Sequence, residues 1–473
     1  MGMSYRVRFW EIRERSGRQR AFELRWTVNG RESSESFITR GLAESRQSKL
    51  RTAAREGEPF DERTGLPASE LRAIRQRVTW YEHARDYIEQ RWDRTPGNTR
   101  RTLADALATL TPALVEPRAR YPEPRILRRA LYSWAFNRNA WDSEPPDDWH
   151  RALTWLEKRS LPMSDLEDPL VVRRALDALT RKLDGKQAAA KTTLRKKAAF
   201  SDVLGLAVEK GYLAANPLSS VRWTNPLATE EVDPECVPNP NQVARLLAAL
   251  REQRGRGPHL EAFFGCVYYA AMRPAEVVRL QLDQCHLPEQ GWGMLTLHGG
   301  VVLAGKGWTD DGSAHEVHSL KKRALKERRP VPIPPEFVAM LRRHVERYGT
   351  AADGRLFRSE RGLYVQTAAY GKTWRRARED ALDEQERATL VAERPYDLRH
   401  AGISFWLHSG VDPAECARRA GQSIEVMLRV YAKVLAGGQE RANRRIEAAM
   451  KEWSMGADEA RSALPDSPGL ARE

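Results

Sequence analysis

The sequence of 473 residues has few cysteines and no long apolar run. Its four cysteines are far apart and form no C-x-x-C pair, which argues against a disulfide framework or a zinc site and favours a reducing cytosol. The first residues, MGMSYRVRFW, lack the apolar segment of a signal peptide, and the longest apolar run, 260–272, is too short to span a bilayer. We therefore expect a soluble intracellular protein.

Signatures of nucleotide and metal binding are also missing. The sequence has no G-x-x-x-x-G-K-[ST] loop to hold phosphates, no cluster of residues with metal-ligand spacing and no internal repeat. The GKG at 305–307 and the TDDG at 309–312 are interpreted as loops and not as phosphate or calcium sites. The sequence therefore indicates no cofactor and no metal.

What the sequence has in excess is positive charge. Lys and Arg number 78 against 64 Asp and Glu, which gives a formal net charge of +14 and a pI near 9.7. Such an excess attracts polyanions, and nucleic acid is the commonest of them. Charge alone leaves open a basic soluble protein that has no such partner.

The chain is long enough for several domains, and its patterns predict an α+β protein that is mainly α. Residues 1–67 predict a three-stranded sheet, with Asn29-Gly30 as a hairpin turn, followed by a helix over 42–55. The arginines of these strands are candidate DNA contacts, with a solvated surface as the alternative. They are Arg6, Arg8, Arg18, Arg20 and Arg25.

Residues 78–225 have apolar residues near helical spacing and predict a helical domain. Its last helix, predicted over 188–211, has an apolar stripe and a basic patch. We interpret the patch as a phosphate contact, although basic helix faces are more often simply solvated. The patch consists of Lys191, Arg195, Lys196 and Lys197.

A proline-rich segment over 224–241 marks the main domain boundary. The region after it, 238–453, is predicted to be mostly helical, with strands near 293–298 and 329–333. The remaining residues, 454–473, are rich in Ala, Pro, Ser and Asp and predict a disordered tail.

Four motifs in the C-terminal half carry groups suited to phosphodiester transfer. Without a metal, this reaction needs cations at the non-bridging oxygens, a nucleophile for phosphorus and an acid for the leaving oxygen. Arginine suits the first task because its planar fork binds phosphate bidentately. In chain order, the motifs are AAMRPAEVVRLQLDQ (270–284), SLKKRALKERRPVPIPP (319–335), RPYDLRHAGISFWLHSGV (394–411) and ARRAGQSIEVMLRVYAKV (417–434).

Together these motifs resemble the tyrosine recombinase (phage integrase) family, in particular integrases of actinobacterial plasmids and integrative elements. The resemblance covers 238–452 and, more loosely, the rest of the chain. It implies an arm-DNA-binding unit at 1–67, a helical core-DNA-binding domain at 78–225 and a mixed, mostly α catalytic domain at 238–453. The activity it implies is integration or excision of a mobile element.

The resemblance also implies roles for individual residues. Arg273 and Arg399 hold the scissile phosphate, and Tyr431 attacks it to give a 3′-phosphotyrosyl enzyme and a free 5′-hydroxyl. Lys321 best matches the general acid of the family, but Lys322 and Lys326 stay open because the hairpin here contains an insertion. Since the phosphotyrosyl ester stores the bond energy, neither ATP nor a metal is implied.

Two positions depart from the pattern of the family. Tyr396 replaces the usual histidine, and a phenol, with a reference pKa of about 10, carries protons poorly near neutral pH. Gln422 replaces a histidine or tryptophan, and its amide can donate to a phosphate oxygen but is neither acid nor base. We interpret His400 as a structural hydrogen-bonding residue, and Glu276 as a residue that orients Arg273 or caps its helix.

The partners implied are double-stranded DNA, at core and arm-type attachment sites, and further copies of the chain in a tetramer on two duplexes. The helix predicted over 437–453 is a candidate contact with a neighbouring protomer. An excisionase or a DNA-bending protein is a further candidate, no membrane partner is expected, and the location implied is the cytoplasm, at the nucleoid when DNA is bound. Two alternatives stay open: a DNA-binding relative with weak or no catalysis, and a type IB topoisomerase.

Overall fold

A computed structural model describes residues 2–117, 122–228, 231–320, 327–431, 443–451 and 453, with the backbone alone at 72 and 74–77. The chain divides into two compact units, which we call unit 1 (1–228 with 304–314) and unit 2 (229–303 with 315–473). The fold is mainly α with small antiparallel sheets, which confirms the predicted fold class. The predicted disordered tail lies outside the described residues.

An antiparallel sheet forms the N-terminal part of unit 1. Its strands are β2 (Val7–Phe9), β3 (Arg13–Glu14), β4 (Phe22–Val28) and β5 (Arg31–Phe37). Two further strands, β1 (Met3–Ser4) and β6 (Phe60–Asp61), form a separate short pair. Asn29 and Gly30 join β4 to β5 with φ of 50° and 84°, the positive values that a two-residue type I′ hairpin requires. The sheet has four strands instead of the three predicted, because β3 pairs with β4 beyond the end of β2.

Eight helices make up most of the rest of unit 1 in its described part. They are α1 (Arg40–Arg55), α2 (Ala68–Arg77), α3 (Trp80–Trp92), α4 (Gly97–Leu110), α5 (Pro124–Ala130), α6 (Asp147–Arg159), α7 (Pro169–Leu179) and α8 (Ala190–Glu209). The apolar faces of α3 to α8 enclose one core, in which Trp80 and Phe200 meet edge to face at 5.5 Å. Trp308, from the 304–314 segment, belongs to this core as well. The helix α1 instead packs with β4 in a separate apolar cluster.

In its described part, unit 2 consists of helices around a central helix, with two small sheets. Its elements are α9 (Pro240–Glu252), α10 (Gly257–Tyr269), α11 (Pro274–Arg279), β7 (Cys285–His286), β8 (Gly293–Leu297), β9 (Gly299–Leu303), β10 (His315–Ser319), β11 (Arg329–Ile333), α12 (Pro335–Tyr348), α13 (Thr367–Ala381), α14 (Glu384–Ala388), α15 (Asp397–His408), α16 (Pro413–Ala420) and α17 (Ile424–Val430). Residues 443–451 are also helical, and their side chains are exposed.

The helix α10 is at the centre of unit 2 because its sequence is apolar on nearly every side. It packs against α9, α12 and α15. At Gly402 the backbone of α15 comes so close to α10 that an added Cβ would overlap the carbonyl oxygen of Tyr268. This close approach places the middle of α15 against the end of α10. In the described part of the chain, each helix is too short or too polar to cross a membrane.

Candidate active site

Arg273 lies where the chain leaves α10 and enters α11. Its backbone N–H donates to Glu276 Oε2 at 2.8 Å, and its Nη1 donates to Glu276 Oε1 at 3.0 Å. The other end of the guanidinium, Nη2, donates to the carbonyl oxygen of Gly421 at 2.8 Å. Both roles considered for Glu276 are therefore confirmed, because it caps the helix and orients Arg273.

Arg399 is in the first turn of α15 and is 1% exposed. Its guanidinium donates to the carbonyl oxygens of Ala271 and of Ala420, the latter at 2.7 Å. Burial lowers the pKa of Arg399, but a guanidinium remains protonated at any ordinary pH. Ala271 itself has a φ of 45°, a strained conformation for a residue with a Cβ, of a kind that clusters at functional sites.

The two arginines thus converge on one short turn. Arg399 binds the carbonyl of Ala420 and Arg273 binds the carbonyl of Gly421, the two consecutive residues that end α16. Gly421 has φ 64° and ψ 51°, the left-handed conformation that commonly ends a helix. The motifs at 270–284, 394–411 and 417–434, distant in sequence, therefore meet at this turn.

Tyr431 follows α17 directly and is 1% exposed. Its ring lies in an apolar cluster with Val232, Ile403 and Met427. Burial raises the pKa of Tyr431, while the positive charges of Arg399 and Arg273 act in the opposite direction. Its Oη is 2.8 Å from Nδ1 of His400. The phenol is therefore neutral in this structure and lies within the field of both arginines.

A buried ion pair between Arg329 and Glu276 supports the site. Arg329, the first residue of β11, is 1% exposed, and its two Nη atoms bind the carboxylate of Glu276 at 3.0 and 2.7 Å. Burial alone would raise the pKa of Glu276, but Arg329, with Arg273 and Arg399, lowers it to about 2. Arg329 is not among the site residues predicted from the sequence, because nothing in RRPVPIPP marks the first strand residue as the partner of a carboxylate 53 positions earlier.

Three other predicted site residues are not part of this cluster of Arg273, Arg399 and Tyr431 as the structure describes it. The amide of Gln422 donates to Sδ of Met427 at 3.5 Å. Tyr396, at the N-cap of α15, is 38% exposed, with its ring 6.0 Å from Cζ of Arg399 and 5.2 Å from the ring of His400. Lys321 lies outside the described residues, as do Lys322 and Lys326.

The basic residues predicted to bind DNA in unit 1 are partly engaged in protein contacts. In α8, Lys196 pairs with Asp105 at 3.0 Å, and Lys197 donates to Asn225 at 2.7 Å. Arg25 is paired with Glu32 across the β4–β5 hairpin. The remaining six are exposed: Arg6, Arg8, Arg18, Arg20, Lys191 and Arg195.

The chemistry of the cluster is that of an anion site beside a nucleophile. Two guanidinium groups can replace their carbonyl partners with the non-bridging oxygens of a phosphate, and the phenol of Tyr431 can attack phosphorus. Within the described ranges, no three His, Cys, Asp or Glu side chains are grouped as metal ligands.

No family model matches the sequence, and no curated protein matches it. Solved structures similar to this one include a Tn1549 transposon integrase with a circular intermediate DNA (15% identity, TM-score 0.44, covering 72% of this chain and 99% of that chain). Another is the XerH site-specific recombinase bound to a palindromic difH substrate (11% identity, TM-score 0.41, covering 76% of this chain and 97% of that chain). A third is a lambda integrase tetramer bound to a Holliday junction (12% identity, TM-score 0.44, covering 87% of this chain and 95% of that chain).

Proposed function

We propose that the protein is a tyrosine-type site-specific DNA recombinase, an integrase that cuts and rejoins DNA through a 3′-phosphotyrosyl bond at Tyr431. One observation carries the proposal: Arg273 and Arg399 bind adjacent carbonyls of one turn, and both charges act on the phenol of Tyr431. The order of the four motifs and the formal net charge of +14 support it.

In the proposed reaction, the phosphate takes the place of the Ala420 and Gly421 carbonyls on the two arginines. The Tyr431 oxygen forms a bond to phosphorus, the bond from phosphorus to the 5′-oxygen breaks, and the 5′-oxygen leaves with a proton from a general acid. Lys321 is the candidate for this acid. Rejoining is the reverse reaction, with the 5′-hydroxyl of a new partner strand as the nucleophile.

The proposed partners follow from this reaction. Exchange of two duplexes requires four active sites, so we propose a tetramer on double-stranded DNA, with core sites bound by 78–225 and 238–453 and arm-type sites by 1–67. Integration or excision of a mobile element, in the cytoplasm, is the proposed biological role. An excisionase or a DNA-bending protein is a candidate accessory partner.

Two observations favour a second candidate, a DNA-binding relative with weak or no catalysis. Tyr431 is 1% exposed, and the amide of Gln422 contacts Met427 instead of the arginine pair. An active enzyme has to expose the phenol when DNA binds. A relative without catalysis binds its site and leaves the phenol buried.

Covalent trapping tests the proposal and separates it from the alternatives. The DNA consists of duplexes that the wild-type protein enriches from a random-sequence pool, and these duplexes are then nicked at a series of positions. Cleavage beside a nick releases a short strand, which prevents rejoining and traps the adduct. A denaturing gel detects the trapped adduct. We expect an adduct with the wild type and none with Tyr431→Phe, because the phenylalanine ring lacks the nucleophilic oxygen.

The matched control is Tyr268→Phe, which removes a hydroxyl from another buried tyrosine of unit 2 and should leave the adduct unchanged. Binding without an adduct in the wild type would support the non-catalytic relative. Relaxation of supercoiled plasmids without site preference would support the topoisomerase.

A further inference from the structure

We propose that His400 is the general base that takes the proton of Tyr431 during its attack on phosphorus, and not the structural residue that the sequence indicates. The inference rests on the proposed function. Its geometric basis is the 2.8 Å contact between His400 Nδ1 and Tyr431 Oη, a distance that allows direct proton transfer. The contact joins the first turn of α15 to the residue that follows α17.

A buried phenol needs such a base. Burial keeps Tyr431 in its neutral form, and a neutral phenol is a weak nucleophile. The other groups of the site do not suit the task, since Arg273 and Arg399 carry no acceptor and Tyr396 is itself a phenol. The carboxylate of Glu276 is bound by Arg273 and Arg329. An imidazole, in contrast, takes up and releases protons near neutral pH.

The start of α15 positions this base together with a phosphate ligand. Arg399 and His400 are adjacent, and Arg399 points to the carbonyls of Ala271 and Ala420 while His400 points to Tyr431. The His400 ring lies between two phenols, with centroids 5.2 Å from Tyr396 and 5.8 Å from Tyr431. One turn of helix therefore presents both the group that holds the phosphate and the group that activates its attacker.

The proposed step moves one proton to His400 and exchanges one bond at phosphorus. His400 is neutral, with its proton on Nε2, and its Nδ1 accepts the proton of Tyr431 as the tyrosine oxygen bonds to phosphorus. The 5′-oxygen leaves with the electron pair of the broken bond and is protonated by the separate general acid. In rejoining, His400 returns the proton to the phenol as it leaves.

The test compares His400→Asn and His400→Ala with wild type in single-turnover adduct formation on the trapped duplexes. Asparagine places an amide near the position of Nδ1, so it can hold the phenol by a hydrogen bond but cannot take its proton. We expect both variants to be slower by about 100-fold or more, as is usual when a general base is removed. Added imidazole should restore part of the rate of His400→Ala but not that of His400→Asn, which leaves no space for it.

A second substrate separates the base from the acid. When the 5′-bridging oxygen is replaced by sulfur, the leaving thiolate no longer needs an acid, but the phenol must still lose its proton. The defect of His400→Asn should therefore persist on this substrate. The control is His408→Asn, in the same helix, whose Nδ1 donates to the carbonyl of Ser404 at 2.8 Å and which should cleave like wild type.

Three results would overturn the role of His400 without affecting the proposed function. The first is a cleavage rate of His400→Asn equal to that of wild type. The second is faster cleavage by His400→Asn, which would mean that the histidine only holds Tyr431 in its buried position. The third is full recovery of the His400→Asn rate on the sulfur substrate. If the wild type itself forms no adduct on DNA that it binds, the proposed function and the role of His400 fail together.

Discussion

Glu276 is 5% exposed, and its two oxygens bind two arginines, Arg273 and Arg329. A carboxylate this deep is stabilised by its partners, and it in turn makes burial of the Arg329 guanidinium tolerable. The same carboxylate sets the direction of Arg273, one of the two proposed phosphate ligands. Stability and function therefore depend on one side chain here.

We expect Glu276→Gln to lower the free energy of unfolding by about 3–5 kcal/mol near neutral pH, because it leaves the buried charge of Arg329 without a counter-charge. The pKa of Glu276 is about 2 in the folded protein and about 4.3 for a free side chain. The contribution of the Glu276 carboxylate to the free energy of unfolding is therefore complete above a pH of about 4.3 and is lost as the pH falls towards about 2. Urea unfolding of wild type and variant should show a difference that shrinks over this range.

The control for this effect is Glu415→Gln. Glu415 also pairs with two arginines, Arg418 and Arg419, but its side chain is 30% exposed. Removal of its charge should cost about 1 kcal/mol or less near neutral pH, as for other surface pairs. Equal losses in the two variants would show that the buried pair contributes nothing special.

At the level of elements, the turn between α16 and α17 brings the site together. Gly421 has a φ of 64°, and an added Cβ would come within 2.8 Å of Cζ of Arg329. A flexible arginine could move away, but Arg329 is buried and held by Glu276 at two points. The turn, the buried pair and the carbonyl that binds Arg273 therefore form one rigid arrangement.

Gly421→Ala should lower the free energy of unfolding by about 1–2 kcal/mol from backbone strain, and by more from the displaced Arg329. It should also slow adduct formation, because the carbonyl of residue 421 directs Arg273. The control is Gly362→Ala, which has a φ of 73° and open space around its Cβ, so it measures strain without the clash. Equal stability losses in the two variants, measured by urea unfolding, would exclude the clash with Arg329.

The elements themselves were largely predictable, because burial of one face leaves a pattern in the sequence. The helix predicted over 188–211 is α8, and the strands predicted near 293–298 and 329–333 are β8 and β11. The hydrogen bonds of the site were not predictable. The contact of His400 with Tyr431 depends on how α15 packs against α17, and a single sequence does not record that packing.

At the scale of the whole molecule, the division of the chain does not follow its order. Residues 304–314, which connect β9 to β10, belong to unit 1 although both strands belong to unit 2. The guanidinium of Arg100 donates to the carbonyl of Trp308 at 3.1 Å and to Asp310 at 2.6 Å. The sequence predicts that GKG and TDDG are loops, but nothing local indicates that the tryptophan between them completes a core about 200 positions earlier.

Trp308→Ala in the full chain should therefore destabilise unit 1. The Trp308 ring is 8% exposed and lies 5.2 Å from the ring of Tyr132 and 6.2 Å from that of Trp92, so its loss should cost about 3 kcal/mol. Hydrogen exchange should become faster in α3 and α4 and stay unchanged in α10. Trp292→Ala, which removes a 61% exposed ring, should leave hydrogen exchange unchanged in all three helices. Faster exchange in α10 with α3 and α4 unaffected would mean that 304–314 stabilises unit 2 instead, and that unit 1 forms its core without it.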